Sequence, residues 1–575
     1  MLNTFTILNY LYKKQGSIGK AWQHIRRHII KTGWSETKDM LIRSETLANF
    51  ETWQLKQNKK IVVISTPHTI FINNLICHNL KNFNIPYESK IISDRNYNDY
   101  SNELYLIICP QYFNKLPKLY IAYQLEQTES NRWFDDIQIE KFKRSLMTLD
   151  YSLNNISFLS NKNISTSQLY FLPIDSRNIK TLIKNFDLSS PKKYDVIFYG
   201  DTNNERRQYY ITELTKNFNV KVINNMFGEN IWKEIQSAKI VVNIHYYEDA
   251  SLETTTLYEC LSNEALVISE KSSDLADHKD LLNLVDFVEE NDVHAMIDRI
   301  KYWLENDEEY LKKKEKIRNY SNKEQNNFDF YLNRALLALD LISFEDFYVT
   351  THKTLNPSSD FWCLGLPEYA YRRNIFTLQN EKIDHEIWKF QGVRHLVPWI
   401  GCGMSYKYII KYAMDKKLEK ISICEDDVIF SDKFNENYED IVSYLKSNND
   451  QWNIFSGHIT DLHNDTRINK ICELNDLKLI KLNKTTGMVF NIYNKNFFEY
   501  LIAWNEGNHD LKTNTIDRYI ENHPNLKVIS SSPYLVSHNE ELQTTLWNRK
   551  MALDSDYSKM IKQSQSLIND HLKVD

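Results

Sequence analysis

Glycine and proline are scarce in this 575-residue chain, at 12 and 11, against a usual glycine share of roughly 7%. Neither GxGxxG nor GxxxxGKS/T occurs, so a dinucleotide fingerprint and a phosphate-cradling P-loop are both missing. The seven cysteines, at 77, 109, 260, 363, 402, 424 and 472, include no CxxC pair. Their odd number and apolar neighbourhoods predict buried reduced thiols rather than disulfides or a zinc site. No apolar run approaches the roughly 18 residues that span a bilayer. The opening Met1-Leu2-Asn3-Thr4-Phe5 lacks the basic start of a secretory leader, which makes a cytoplasmic protein the expectation. Positive charge is not in excess either: the net charge of −6 argues against a general nucleic-acid binder.

Core-forming residues are plentiful. Hydrophobic residues make up 42% of the chain, with 35 Tyr and 27 Phe, enough for two or three domains of ordinary size. Residues 1–55 are helical in pattern and basic, with Lys13, Lys14, Lys20, Arg26, Arg27, Lys31, Lys38 and Arg43. Ile18, Trp22, Ile25, Ile29 and Ile30 recur near helical spacing, which fits either an arm packed on the body or a segment lying on anionic lipid. In the second case the location is peripheral, at the inner face of the membrane.

From Lys60 apolar strands alternate with helices. Ile61–Ser65, Leu104–Cys109, Leu119–Tyr123 and Leu169–Pro173 are expected strands of a first series, 56–190. Tyr194–Tyr199, Val220–Ile223, Ile240–Ile244 and Ala265–Ser269 belong to a second, 191–343, closed by the lysine-rich helical stretch 295–342. Two consecutive βα series predict two Rossmann-like domains facing across a cleft. A third α/β region, 344–575, contains the apolar run Ile421-Ser422-Ile423-Cys424 followed by Glu425-Asp426-Asp427. Three acids at a strand end repel one another unless a cation sits among them. Carboxylates one residue apart share a side of an extended segment, so Glu425 and Asp427 are expected to hold Mg²⁺ or Mn²⁺ bridging a diphosphate, with Asp426 on the donor.

The surroundings of this triplet resemble glycosyltransferase family 25, the lipopolysaccharide and collagen galactosyltransferase group. Trp399-Ile400-Gly401-Cys402-Gly403-Met404-Ser405-Tyr406 is similar to the family's Gly-Cys-x-x-Ser-His segment, with Tyr406 where His is usual. Thr485-Thr486-Gly487-Met488-Val489-Phe490 resembles its Thr-x-Gly segment. Thr515-Ile516-Asp517-Arg518-Tyr519 is similar to its Ile-Asp motif, and Ser532-Pro533-Tyr534-Leu535-Val536-Ser537-His538, with Tyr534–Val536 strand-like in pattern, to its closing Pro-x-Leu-Val-x-Gln. The expected first strand, Phe347–Thr351, lacks the family's Asn-Leu-Asp-Arg run, for which Cys363–Glu368 with Arg372-Arg373 is the substitute. The resemblance implies a GT-A fold and inverting, metal-dependent transfer. On it Asp517 is the general base, with Asp461 as second choice, His538 is a further metal ligand, and Thr485, Thr486 and Gly487 shape the sugar pocket.

Residues 191–343 resemble the donor half of GT-B glycosyltransferases of CgeB-like and family 1/4 type. The resemblance rests on Tyr199-Gly200-Asp201 with Arg206-Arg207, on Asn243–Glu248, and on Leu252-Glu253 with Tyr258–Asn263. It makes Gly200, Arg206, His245, Glu253 and Glu259 donor-binding candidates, Arg206 and its helix N-terminus forming a diphosphate cradle. Glu126, after the strand before Trp133, is a candidate for acceptor contact or base. The overall expectation is an α/β chain with two Rossmann-like domains of GT-B type followed by a GT-A type domain. Its function is that of a bifunctional glycosyltransferase moving sugars from UDP-type donors to a glycan or lipid-linked acceptor of a capsule or lipopolysaccharide. Rival expectations are a single active GT-A module beside a docking half, a non-catalytic glycan-binding scaffold, and a metal-dependent nucleotidyl or phosphoryl transferase.

Overall fold

A computed structural model describes residues 4–128, 133–184, 186–187, 191–542, 544–546 and 554–574. The chain forms two compact units. One comprises the chain up to Ala21 together with Lys38–Leu332, the other Trp22–Thr37 together with everything from Asn333 onward. The N-terminal arm is helical, as Thr4–Gln15 and Ile18–Gln54, the second helix being kinked at Gly33 (φ 84°).

The first unit contains two parallel sheets. Strands β1 (Ile61–Ser65), β2 (Tyr87–Ile91), β3 (Leu104–Ile108), β4 (Tyr120–Gln124), β5 (Met147–Asp150) and β6 (Leu169–Phe171) lie in the order β2-β1-β3-β4-β5-β6. The second sheet has the order β11-β10-β9-β7-β8, from β7 (Tyr194–Tyr199), β8 (Val220–Ile223), β9 (Ala238–Asn243), β10 (Leu266–Glu270) and β11 (Asp286–Val288). Helices on both faces of a parallel sheet cover its strands, so their sequences are continuous apolar runs. β1, β3, β4 and β10 are buried at every position, and Ile61↔Leu104 and Leu266↔Ile240 fix two of the registers.

The second unit has a different sheet. Strands β12 (Phe361–Gly365), β13 (Trp388–Gln391), β14 (Lys420–Glu425), β16 (Ile454–Ser456), β17 (Ile468–Leu474), β18 (Leu477–Leu482), β19 (Phe490–Asn494) and β20 (Val528–Ser532) form eight mixed strands, ordered β13-β12-β14-β19-β16-β20-β18-β17. β19 runs antiparallel to both its neighbours. β15 (Val428–Phe430) and β21 (Val536–His538) pair separately, with Val428 opposite His538, which brings the chain just after the acidic triplet against the chain's closing motif.

Two expectations are corrected here. Phe347–Thr351 is not a strand but the body of the helix Phe344–Thr351. Ser343 Oγ accepts from the Asp346 amide at 3.0 Å and Asp346 returns the bond to the Ser343 amide at 3.2 Å, a capping box that commits the segment to helix. The strand that follows, β12, occupies the place expected for it. Near the C-terminus the strand is Val536–His538 rather than Tyr534–Val536.

The longer segment of the second unit starts at Asn333. Arg334, 1% exposed, forks onto the fully buried Glu368 at 2.7 and 3.1 Å and donates to Gly392 O at 2.7 Å, with Arg394 3.5 Å from the same carboxylate. Removing one partner of a buried pair strands the other charge, at a cost of about 3–5 kcal/mol. Glu368→Ala is therefore expected to lower unfolding stability by about that amount in urea titration. The double variant Arg334→Met/Glu368→Leu should recover much of the loss. Equal stability of wild type and Glu368→Ala would show that the pair has no such role.

Candidate functional site

In the second unit, β14 ends at Glu425 and the next two residues form the turn into β15. Side-chain alternation stops there, so the three acids face different partners. The Arg372 guanidinium, on the helix Ala370–Asn380, bonds Asp426 Oδ1 through Nε at 2.9 Å and also through Nη2, which reaches Asp427 Oδ2 at 2.9 Å. Close approach is possible because β12 ends in glycine: a Cβ at Gly365 would lie 2.9 Å from Asp426 Oδ2. Glu425 instead accepts from the Tyr406 hydroxyl at 3.3 Å. Burial, reinforced by the Asp427 charge, raises its pKa to about 8. Of the expected set Glu425, Asp427 and His538, the structure brings Asp427 and His538 together and turns Glu425 to Tyr406. Among the described residues no three His, Cys, Asp or Glu side chains converge into a metal-holding set.

Asp427 nevertheless keeps one oxygen free. Its Oδ1 is buried without a hydrogen bond, while Oδ2 lies 3.3 Å from His538 Nε2. Burial opposes ionisation, but the His538 bond and the Arg372 charge hold this carboxyl down at about 2. His458, after β16, lies within electrostatic reach of both Asp427 and His538. Burial first, and then the His538 charge, lower its pKa to about 4.

The other expected residues gather nearby. The Cys402 thiol, raised by its burial, also feels Glu425, Asp517 and Asp427, which sets Asp517 near the triplet. Asp517 opens the short helix Ile516–Glu521 and accepts from the Arg518 amide at 2.8 Å. Asp461 pairs with Arg518 Nη2 at 3.2 Å, so the two base candidates share one arginine neighbour. Thr486 Oγ1 donates to Asp461 O at 2.8 Å, and Thr485 Oγ1 is buried without a partner. Gly487 (φ 125°) is required twice over, by its left-handed backbone and by space: a Cβ would stand 2.8 Å from Thr460 Oγ1 and 3.0 Å from His458 O. At Gly403 a Cβ would run into the Trp504 ring. The single Tyr406 hydroxyl proton is shared with Met488 O, 3.1 Å away, so the residue standing where His is usual ties the acid strand to the Thr485–Met488 segment.

In the first unit both arginines have partners within the protein. Arg206 donates to Glu270 Oε2 at 2.8 Å and to Oε1, to His245 O at 2.9 Å, and to Asn291 Oδ1 at 2.9 Å. Glu270, fully buried at the end of β10, needs that countercharge. Arg207 in turn donates to Glu253 Oε1 at 3.0 Å and lies 3.2 Å from the position of a Cβ on Gly200 (φ 148°). Glu259 is a core acid: Trp232 Nε1 and the Tyr199 hydroxyl donate to it at 2.8 and 3.1 Å, and burial raises its pKa. His245 is fully buried, with Glu290 Oε1 3.8 Å from its Nδ1.

Glu253 and Glu126 do meet at one place. They line a cavity of about 230 Å³ with Trp133, Tyr246, Tyr247 and Thr254–Thr256, the last three opening the helix Thr254–Ser262. Thr254 Oγ1 is buried there without a partner. Asn155 Nδ2 and Gln124 Nε2 hold Glu126 O at 3.0 and 2.8 Å, and both donate to Asp150.

Neither Arg372 nor the cavity tyrosines carried a spacing signal. Arg372 was marked in the sequence only as a stand-in for a missing run.

Residues 378–502 match the family described as glycosyltransferase family 25 (LPS biosynthesis protein). An uncharacterized protein, L137, of Acanthamoeba polyphaga mimivirus is 35% identical over 112 residues, 19% of this chain and 14% of that protein. The chain thus matches about a seventh of that relative's length. Among solved structures, an alpha-glucosyltransferase in complex with UDP-glucose and abasic-site DNA gives a TM-score of 0.35 at 11% identity, covering 49% of this chain and 99% of that one. WaaG, a glycosyltransferase involved in lipopolysaccharide biosynthesis, gives 0.34 at 10%, covering 49% and 99%. Sucrose-phosphate synthase from Thermosynechococcus elongatus gives 0.33 at 11%, covering 50% and 100%.

Asp150 generates a pH prediction. Burial raises its pKa from 3.8 to about 8, so between those values the folded chain binds the extra proton. Its stabilising share is full below pH 3.8 and lost as pH rises through 8. Asp150→Asn should remove that decline, flattening the melting temperature of the first unit between pH 5 and 8. An unchanged slope would place the titration elsewhere.

Proposed function

We propose, on the premise that residues 378–502 are a family 25 glycosyltransferase segment, that the second unit is a GT-A type module. It transfers a sugar from a nucleotide-sugar donor, of UDP type, with inversion. The observation that carries this reading is the buried carboxylate Asp427, whose Oδ1 has no hydrogen bond and whose other oxygen faces His538. A hard carboxylate oxygen beside an imidazole suits Mn²⁺, with Mg²⁺ the weaker match for nitrogen. Asp427 and His538 would hold the ion, the remaining positions falling to donor and water oxygens. Once bound, the ion supplies countercharge to the departing nucleoside diphosphate.

The remaining work falls to the chain's own residues. Arg372 fixes the directions of Asp426 and Asp427. Thr485, Thr486 and Gly487 shape the wall on which the sugar lies. Asp517 accepts the proton of the acceptor hydroxyl as that oxygen forms its bond to the anomeric carbon and the bond to the diphosphate breaks. Asp461, whose carboxylate is held by Arg518, is the alternative base. Glu425, raised to about 8 by burial and the Asp427 charge, lies against the Tyr406 hydroxyl.

For the first unit, the cavity bearing Glu126 and Glu253 is proposed as a second, GT-B type transfer site, making the chain bifunctional in assembly of a surface glycan. Phosphate would meet the N-terminus of the helix Thr254–Ser262 rather than Arg206. One observation favours a binding-only role for this half: Arg206 is already bonded to Glu270. Under that reading the cavity docks the glycan or lipid-linked acceptor.

Asp427→Asn is expected to weaken Mn²⁺ binding in calorimetry at least ten-fold and to abolish EDTA-sensitive turnover of a nucleotide-sugar panel. Unchanged Mn²⁺ affinity would remove the ion from this site. Asp517→Asn should lower kcat by about 10²–10⁴-fold with donor binding unchanged. A larger loss in Asp461→Asn than in Asp517→Asn would reverse the assignment. Glu253→Gln should leave EDTA-sensitive turnover intact and remove any metal-independent transfer. If wild type has no such second activity, the docking reading stands.

A further inference from the structure

The helical arm carries a surface that the transfer reaction does not use. Within Trp22–Thr37, Ile25 and His28 are buried, yet Trp22, Ile29, Ile30 and Trp34 stand 54, 36, 74 and 65% exposed. Trp22, Arg26, Ile29 and Ile30 are spaced by four, seven and eight residues, which sets them along one side of a helix. Exposing two tryptophans and two isoleucines within 13 positions is unfavourable in water and marks an interaction surface.

The charge on the segment says what covers it. Arg26, Arg27 and Lys31 are exposed, and none makes an ion pair among the described residues. Glu36 is the one acid between Trp22 and Thr37, in a chain whose net charge is −6. A local cationic stretch on an anionic protein selects an anionic partner. Interleaved tryptophan and isoleucine add a demand for apolar depth that a soluble polyanion does not meet. Both demands are satisfied at a phospholipid headgroup boundary, where indole rings rest at the interface and arginine and lysine reach the phosphates. Among the described residues no helix is long and apolar enough to cross a membrane, so the association is lateral.

We propose that Trp22–Trp34 is an interfacial anchor that seats the chain on an anionic phospholipid surface through Trp22, Ile29, Ile30, Trp34 and the arginine pair Arg26-Arg27. The anchor is independent of the transfer chemistry, and its failure leaves the functional reading untouched.

The test is co-sedimentation of the full chain with large vesicles of phosphatidylcholine alone or with one-third phosphatidylglycerol. Intrinsic tryptophan emission and light-scattering mass are followed alongside. Partition should be at least ten-fold stronger on the anionic vesicles, with a blue shift of emission, and should weaken in 0.5 M NaCl. Arg26→Glu/Arg27→Glu and, separately, Trp22→Ser/Trp34→Ser should each lower partition at least ten-fold. Because these side chains are exposed, both variants should melt at the wild-type temperature. Equal binding to both vesicle types, or wild-type partition by both variants, overturns the proposal. So does a dimer in solution that the tryptophan variant dissociates while vesicle binding is absent, which would make a second copy of the chain the occupant.

Discussion

One guanidinium makes the acidic corner of the second unit possible. Asp426 and Asp427 are almost wholly buried, and taking two carboxylates out of water costs several kcal/mol each without compensation. Arg372 bonds both, so one cation offsets part of the charge of the two carboxylates. That residual charge sits on the carboxylate whose Oδ1 remains free and whose Oδ2 faces His538. Gly365 supplies the room, since a side chain there would collide with Asp426. The site is thus a helix arginine, a strand-end glycine and a turn acting together, none of which is informative alone.

The same physics acts in the first unit with the opposite functional result. Glu270 is buried at a strand end and recruits Arg206, and Arg207 is taken by Glu253. Both cations that the sequence offers to a diphosphate are occupied within the protein. What the cleft presents instead is a helix start, an unpartnered Thr254 hydroxyl and two acids, Glu126 and Glu253.

Motif order survived folding better than motif chemistry. Tyr406, Glu425, Met488 and Asp461–Thr486 are linked by hydrogen bonds, and Cys402 senses Asp517. Segments more than 100 residues apart in sequence thus share one neighbourhood. The carboxylates are held differently: Glu425 by a tyrosine, Asp426 by Arg372, and Asp427 by that same arginine together with a histidine. Phe347–Thr351 shows the opposite failure. Its apolar, β-branched composition suggests a strand, but the Ser343–Asp346 capping box outweighs it.

The sequence by itself determined the two parallel sheets and most of their strand limits. A strand covered on both faces must be apolar throughout, and that pattern is local. It also determined that three acids follow the apolar run of β14. Tertiary structure alone decided which charges pair: Arg372 with Asp426 and Asp427, Arg206 with Glu270, Arg334 with Glu368. Pairing depends on which side chains burial brings within hydrogen-bond reach, and burial is set by elements distant in sequence. The local pattern fixes where a charge lies along the chain, and only the packed fold fixes what neutralises it.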